Sequence, residues 1–172
     1  MSNNAIDFLG GGFSNELGLS LMKTLIICYS YHHNNTQKVA KTIAGVIDAE
    51  VKTPQQVDLA ELAGYDLVGF GSGIYMSKPH KELLAFADML PQTQNGKAFV
   101  FSTSGQPNNG AKFHRPLREK LEAKGYTVLG EFNCTGFDTF GSFKLVGGLQ
   151  KGHPNEADLK AAEKFAETLK QN

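Results

Sequence analysis

The chain has 172 residues, in which 17 lysines and arginines balance 17 aspartates and glutamates. That length suits one α/β domain with a single core, and the absence of net charge excludes a general electrostatic pull toward nucleic acid or an anionic membrane. Cys28 and Cys134 are too few for a disulfide framework and neither sits in a CxxC spacing, so reduced thiols and a cytoplasmic location are expected.

No stretch reaches the roughly 18 consecutive apolar residues of a membrane helix, so no membrane insertion is expected. The amino terminus also lacks the basic-then-apolar layout of a secretion signal. Residues 1–21 carry no lysine or arginine and no sustained period, and are read as an N-terminal extension, a tag or an arm. The domain proper is then 22–172.

Taken in order, Thr24 to Tyr29 is an apolar, β-rich run, and the segment after it places Val39, Ala40, Ile43, Ala44, Val46 and Ile47 at helical spacing. A short strand near Glu50 to Lys52 stops before Pro54, which has no amide to donate. Asp66 to Gly71 is the third strand. A helix from about Pro79 to Leu90 turns Leu83, Leu84, Phe86 and Ala87 inward and is closed by Pro91 and Asn95-Gly96. Lys97 to Phe101 is continuously apolar after its lysine, as a strand covered on both faces requires. A helix from about Lys112 to Ala123 ends at Gly125, the last strand runs from Tyr126 to Cys134, and Glu156 to Leu169 closes the chain as an amphipathic helix. Strands that alternate with helices predict an α/β fold with a three-layer, doubly wound, five-stranded parallel sheet. Ligands of such sheets bind beyond the carboxyl ends of the strands, where the winding reverses.

The unusual stretches fall in those loops. Ser30 to Thr36 joins the first strand to the first helix, where unpaired amides and the positive end of the helix dipole meet the short polar side chains of Ser30, Asn34, Asn35 and Thr36. The combination suits a phosphate monoester; the alternative is that Asn35 or Thr36 simply caps the helix. Neither a GxGxxG fingerprint nor a GxxxxGK[ST] loop is present. Adjacent side chains diverge, so His32 and His33 are not expected to share a metal; one can touch the phosphate, or both face solvent. His80 and His114 are read as surface or helix-start residues.

In the second loop, Gly71 to His80, glycines on both sides of Ser72 let main chain approach a flat ligand, and Tyr75 offers an aromatic face. The third loop, Ser102 to Gly110, supplies hydroxyls and free amides through Ser102, Thr103, Ser104 and Gly105. A nucleophile with its base is not evident. Cys28 begins no CxxxxxR phosphatase loop, because Asn34 stands where the arginine would be.

"YSYHHNNTQKVA", together with "GSGIYMSKPH", "STSGQPNNG" and the closing "CTGFDTFGSFKLVGGLQKGHPNEADL", resembles the flavodoxin family over nearly all of 22–172. The first loop matches at Ser30, Asn35 and Thr36, with Asn34 in place of the usual glycine; asparagine tolerates left-handed backbone better than most residues. The resemblance implies the sheet order 2-1-3-4-5 and FMN as cofactor. Its phosphate would lie on Ser30, His32, His33, Asn34, Asn35 and Thr36, its ring along Ser72, Gly73, Ile74 and Tyr75, and its pyrimidine edge on Ser102, Thr103, Ser104 and Gly105. It implies an electron carrier between redox partner proteins, a reductase and an acceptor, as a monomer or weak homodimer with no catalytic residue of its own. The alternative is an FMN-dependent NAD(P)H:quinone or protoporphyrinogen-type oxidoreductase. Phe137, Phe140 and Phe143 either shield the flavin or pack under the closing loop, and at least two of the three are expected to pack. Acidic charge is typical of the family's carriers, so the neutral balance here and Lys78, His80 and Lys144 in the loops predict a less negative reduction potential.

Overall fold

Strand periodicity sends Leu25 and Ile27 to one face of β1 (Thr24–Tyr29) and Ile26 and Cys28 to the other, and both faces are buried. The computed structural model describes residues 22–31, 33–137 and 147–171. The arm assigned to residues 1–21, His32, Phe140, Phe143 and Lys144 lie outside the described residues.

After β1 come α1 (Asn35–Ile47), β2 (Glu50–Lys52), short 3-10 turns at Pro54–Gln56 and Leu59–Gly64, β3 (Leu67–Tyr75), β4 (Lys78–Pro79) and α2 (Lys81–Met89). They are followed by β5 (Gly96–Ser104), a 3-10 turn at Pro107–Asn109, α3 (Gly110–Ala123), β6 (Tyr126–Thr135) and α4 (Glu156–Leu169). The sheet runs β2-β1-β3-β5-β6 with every one of these pairs parallel. Without the short β4 this is the 2-1-3-4-5 order, and the fold is the doubly wound, flavodoxin-like one. β4 itself was not expected. It pairs antiparallel with the end of β3, Ile74 opposite Pro79 and Tyr75 opposite Lys78, so β3 runs on to Tyr75 instead of stopping at Gly71.

Leu25, Ile27, Val68, Phe70, Ala98 and Val100 form one core layer with Leu83, Phe86 and Ala87 of α2 and Leu117 and Leu121 of α3. Ile26, Cys28, Phe99 and Phe101 form the other with Val39, Ala40 and Ile43 of α1 and Ala162, Ala166 and Leu169 of α4. The second layer explains two glycines of β3. A Cβ on Gly69 would stand 2.2 Å from the Phe99 ring and one on Gly71 2.1 Å from the Phe101 ring, so the rings of β5 occupy the room those residues leave. Cys28 and Cys134, in strands that β3 and β5 separate, are both free and buried. No helix among the described residues is long and apolar enough to cross a membrane.

Because α1 covers one face of the sheet and α2 the other, the winding reverses between β1 and β3. A crevice opens there, at the carboxyl ends of the strands.

Candidate functional site

A cavity of about 330 Å³ occupies that crevice, a size within the range of small-molecule sites (roughly 300–1,000 Å³). Four chain segments that follow parallel strands wall it, together with Phe113 of α3.

The first follows β1. Ser30, Asn35 and Thr36 line the cavity. His33 and Asn34 do not; they make the turn, both in left-handed backbone, with φ 55° at His33 and φ 53° at Asn34. Asparagine thus takes the conformation for which glycine is the default. Asn34 is the residue before α1 and its side chain makes no capping hydrogen bond, so the amides of the first turn are left for another acceptor. Neither Asn35 nor Thr36 caps the helix. Asn35 Nδ2 donates to the Phe137 carbonyl at 2.8 Å, and Thr36 Oγ1 lies 2.8 Å from Thr103 Oγ1, which ties the first loop to the third and fourth.

The second wall is the β3–β4 hairpin. Gly73, Ile74, Tyr75, Met76 and Ser77 line the cavity, and Met76 and Ser77 turn the chain with φ of 48° and 63°. Two consecutive left-handed residues are the geometry of a tight two-residue hairpin. Ser72 is buried behind this wall: its hydroxyl donates to the Gly73 carbonyl at 2.9 Å and accepts from the His80 amide at 3.0 Å. His80 stands at a helix start, as expected, with Nδ1 accepting from the Glu82 amide at 3.2 Å. Its ring stacks on Tyr29 at 4.3 Å and meets the Tyr75 ring edge-on at 5.0 Å, so Tyr75 is backed by a second aromatic layer.

Thr103, Ser104, Gly105 and Gln106 form the third wall. Ser102 points to the opposite face of β5, where its Oγ lies 2.7 Å from His114 Nε2 and donates to Asn133 Oδ1 at 2.8 Å. His114 is neither a surface nor a helix-start residue. It is buried within α3, with Nδ1 3.2 Å from Glu131 Oε2, and burial pulls its pKa below the ordinary histidine value while Glu131 pulls it up by a smaller amount. Serine, histidine and glutamate in such a line suggest nucleophilic chemistry, but Ser102 does not reach the cavity.

The fourth wall follows β6. The Gly136 amide donates to the Ser104 carbonyl at 3.0 Å, Phe137 and Leu149 complete the lining, and the Phe137 ring lies 4.6 Å from the His33 ring. Phe137 therefore takes part in shaping the cavity. Sequence reasoning missed Met76, Ser77, Gln106, Phe113, Gly136 and Leu149. Met76, Ser77 and Gln106 lie inside the quoted loop motifs and Gly136 and Leu149 inside the closing one, whereas Phe113 arrives from α3 and has no local signature.

Among the described lining residues none carries a formal charge; the donor set is hydroxyls, carboxamides and main chain beside aromatic and aliphatic side chains. No group of described His, Cys, Asp or Glu side chains is arranged to hold a metal. Burial pushes both thiols, Cys28 and Cys134, up to about 12, which leaves them protonated and unreactive.

A family model described as a flavodoxin domain matches residues 26–136. An uncharacterized protein of Methanocaldococcus jannaschii is 50% identical over 151 residues, which are 88% of this chain and 100% of that one. Among solved structures, the oxidised Flavodoxin 2 of Bacillus cereus superposes with a TM-score of 0.65 at 18% identity, covering 87% of this chain and 98% of that chain. A flavoprotein of Lactobacillus acidophilus in complex with FMN gives a TM-score of 0.52 at 22% identity, covering 65% of this chain and 93% of that chain. The structural likenesses, at such low identity, speak for the fold; the match along residues 26–136 speaks for descent, and by it this chain belongs to the flavodoxin family.

Proposed function

We propose that this protein binds FMN in the cavity at the carboxyl ends of β1, β3 and β5 and carries electrons between a reductase and an acceptor protein. The observation that supports it most is the uncharged, partly aromatic cavity with an uncapped helix amino terminus at one end. A phosphate needs donors without a competing carboxylate, and the first turn of α1 has them. A flat ring needs close main chain and an aromatic wall, which Gly73, Ile74 and Tyr75 offer. Ser104, Gly105 and Gln106 offer hydroxyl, amide and carboxamide groups for a polar ring edge. The Lactobacillus acidophilus flavoprotein, whose fold this chain shares, is a complex with FMN.

When bound, FMN supplies the redox chemistry, in one- or two-electron steps. The chain's residues bind, orient and shield it. His33 and Asn34 would shape the phosphate turn through backbone conformation, Ser72 would brace the ring wall, and Ser102 would act from behind the third loop. The working unit is residues 22–172, with 1–21 as an extension, a monomer or weak homodimer in the cytoplasm.

Met76, 87% exposed, and Leu149, 40% exposed, place apolar side chains at the cavity mouth. They favour a second reading, an FMN-dependent NAD(P)H:quinone oxidoreductase with a flat apolar substrate. Titration with FMN, followed by quenching of flavin fluorescence, tests the cofactor; saturable one-to-one binding is expected, and no quenching overturns it. Stepwise anaerobic reduction separates the two readings. Two resolved one-electron steps and dependence on a separate reductase fit the carrier, whereas one two-electron step with direct NAD(P)H oxidation fits the enzyme.

A further inference from the structure

Behind the third loop, hydrogen atoms can be counted along a line of four side chains. Asn133 Nδ2 lies 2.8 Å from the Pro107 carbonyl, which only accepts, so the nitrogen must face Pro107 and Oδ1 must face Ser102. At the other end, the Glu131 carboxylate is paired with Arg118 and also only accepts. Between these two acceptors run three contacts: Glu131 to His114 at 3.2 Å, His114 to Ser102 at 2.7 Å, and Ser102 to Asn133 at 2.8 Å. Each needs one hydrogen. Ser102 has one and a neutral imidazole has one, so one contact is left without a hydrogen unless His114 carries a second.

The far end of the line is the cavity wall. Asn133 holds the Pro107 carbonyl and lies within hydrogen-bond distance of Ser104 Oγ, which is 3.2 Å from its Nδ2 and 3.3 Å from its Oδ1, and that oxygen accepts from the Gln106 amide at 3.3 Å. Gly110, which opens α3, leaves Asn133 its place: a Cβ there would stand 2.7 Å from Asn133 Cβ.

We propose that His114 is a proton-operated positioning residue, whose second proton decides whether Ser102 holds Asn133, and through it the Ser104–Pro107 wall of the cofactor cavity, from behind. With both ring nitrogens protonated, Nδ1–H donates to Glu131, Nε2–H donates to Ser102, and the Ser102 hydrogen is free to donate to Asn133 Oδ1. When the proton leaves to solvent, Nε2 is the nitrogen that loses it, because Nδ1–H faces a carboxylate. The Ser102 hydroxyl then turns toward Nε2. Asn133 Oδ1 loses that donor and keeps only the longer contact with Ser104 Oγ, at 3.3 Å, and the wall loosens.

Among the described residues, two charged groups act on this histidine. Glu131 on β6 and Arg118 on α3 act on His114, the first favouring the second proton and the second opposing it. β5 contributes Ser102, without charge. Of the other charged residues on elements against α3, β4 carries Lys78, which is exposed, β5 carries Lys97 near its start, and α2 carries Lys81, Glu82 and Asp88, the last paired with Lys120. Burial is the largest influence and opposes the proton, so the switch operates on the acid side of the ordinary histidine value.

The test is a pH titration of the full isotope-labelled chain, without flavin, by NMR of histidine ring nitrogens and backbone amides. His114 is expected to gain a second ring proton as pH falls, with the Gly105 and Gln106 amides and the Asn133 carboxamide shifting at the same midpoint. In Ser102→Ala, His114 still titrates while those amides cease to follow; in His114→Gln the shared transition disappears. Amides that stay still through the His114 transition, amides that follow it equally in Ser102→Ala, or a His114 that never titrates in the folded chain overturn the proposal.

The consequence for the cofactor rests on the flavin reading. FMN is expected to bind about three- to tenfold more tightly below the transition than above it, the worth of one hydrogen bond, and the dependence should vanish in Ser102→Ala. If the amides follow His114 but FMN does not bind at any pH, the flavin reading fails and the switch stands.

Discussion

The two faces of β5 are built from alternate residues of one strand, yet they end differently. On the α1 and α4 side, Phe99 and Phe101 fill the space over Gly69 and Gly71, and the face finishes at Thr103, paired with Thr36 beside the cavity. On the α2 and α3 side, Ala98 and Val100 give way to Ser102 and a polar line through His114, Glu131 and Asn133. One face is held by apolar volume almost to the site, whereas the other replaces its last apolar layer with hydrogen bonds. Volume is insensitive to pH, and a hydrogen-bonded line containing histidine is not. The two faces of β5 should therefore respond to different perturbations.

The largest effect is expected from Phe101→Ala, which empties the space that Gly71 leaves. It should cost about 3–5 kcal/mol, read as a lower denaturant midpoint with unchanged slope, and the loss should be the same at acid and neutral pH. A loss that changes with pH would break the contrast between the faces.

Thr36→Val keeps the volume but leaves Thr103 Oγ1 without its partner. About 1–3 kcal/mol of stability should go with it, and FMN affinity should fall because both residues line the cavity. A neutral effect would mean that the hydroxyl pair on the apolar face contributes nothing.

Asn34 lies on neither face and calibrates both. Asn34→Ala forces a Cβ residue without asparagine's tolerance into φ 53° and should cost about 1 kcal/mol, whereas Asn34→Gly should be nearly neutral. Equal effects of the two in thermal unfolding would show that backbone conformation is not what selects the residue.

The smallest effect is a slope. Burial lowers the His114 pKa below about 6.5, the ordinary histidine value, so in that range the unfolded chain binds the proton more readily than the folded one. The His114 contribution to stability is therefore full above that pH, declines as pH falls through the interval down to the folded value, and levels off below it. His114→Gln should remove this slope from the pH dependence of unfolding, while Phe101→Ala keeps it.

Much of the fold was legible because burial on two sides leaves a strong pattern. The Thr24–Tyr29 and Glu156–Leu169 elements appear with the expected ends, and Gly125 closes α3, with φ of 88°. The hairpin at β4 was not legible. Lys78-Pro79 has neither length nor apolar alternation, and it is a strand only because the end of β3 lies beside it. Ser30, Asn35, Thr36, Gly73, Ile74, Tyr75, Thr103, Ser104 and Gly105 come together in one cavity because their loops all leave the same edge of the sheet. The separation of Ser102 from Thr103, and of Ser72 from Gly73, follows the alternation of strands, which the loop reading of those residues overlooked: β3 and β5 extend through them.

The order of residues by itself determined the alternation of strands and helices, the three loops that meet at the carboxyl edge, and the family, since these depend on local period and on short motifs. Tertiary structure alone decided that His114 is buried, that Phe113, Phe137 and Leu149 reach the cavity, and that Ser102 turns away from it. The physical reason is that period two assigns a residue to one of two faces, but what waits on each face, a cavity on one and a histidine from α3 on the other, is set by chain segments that meet only when the sheet is wound.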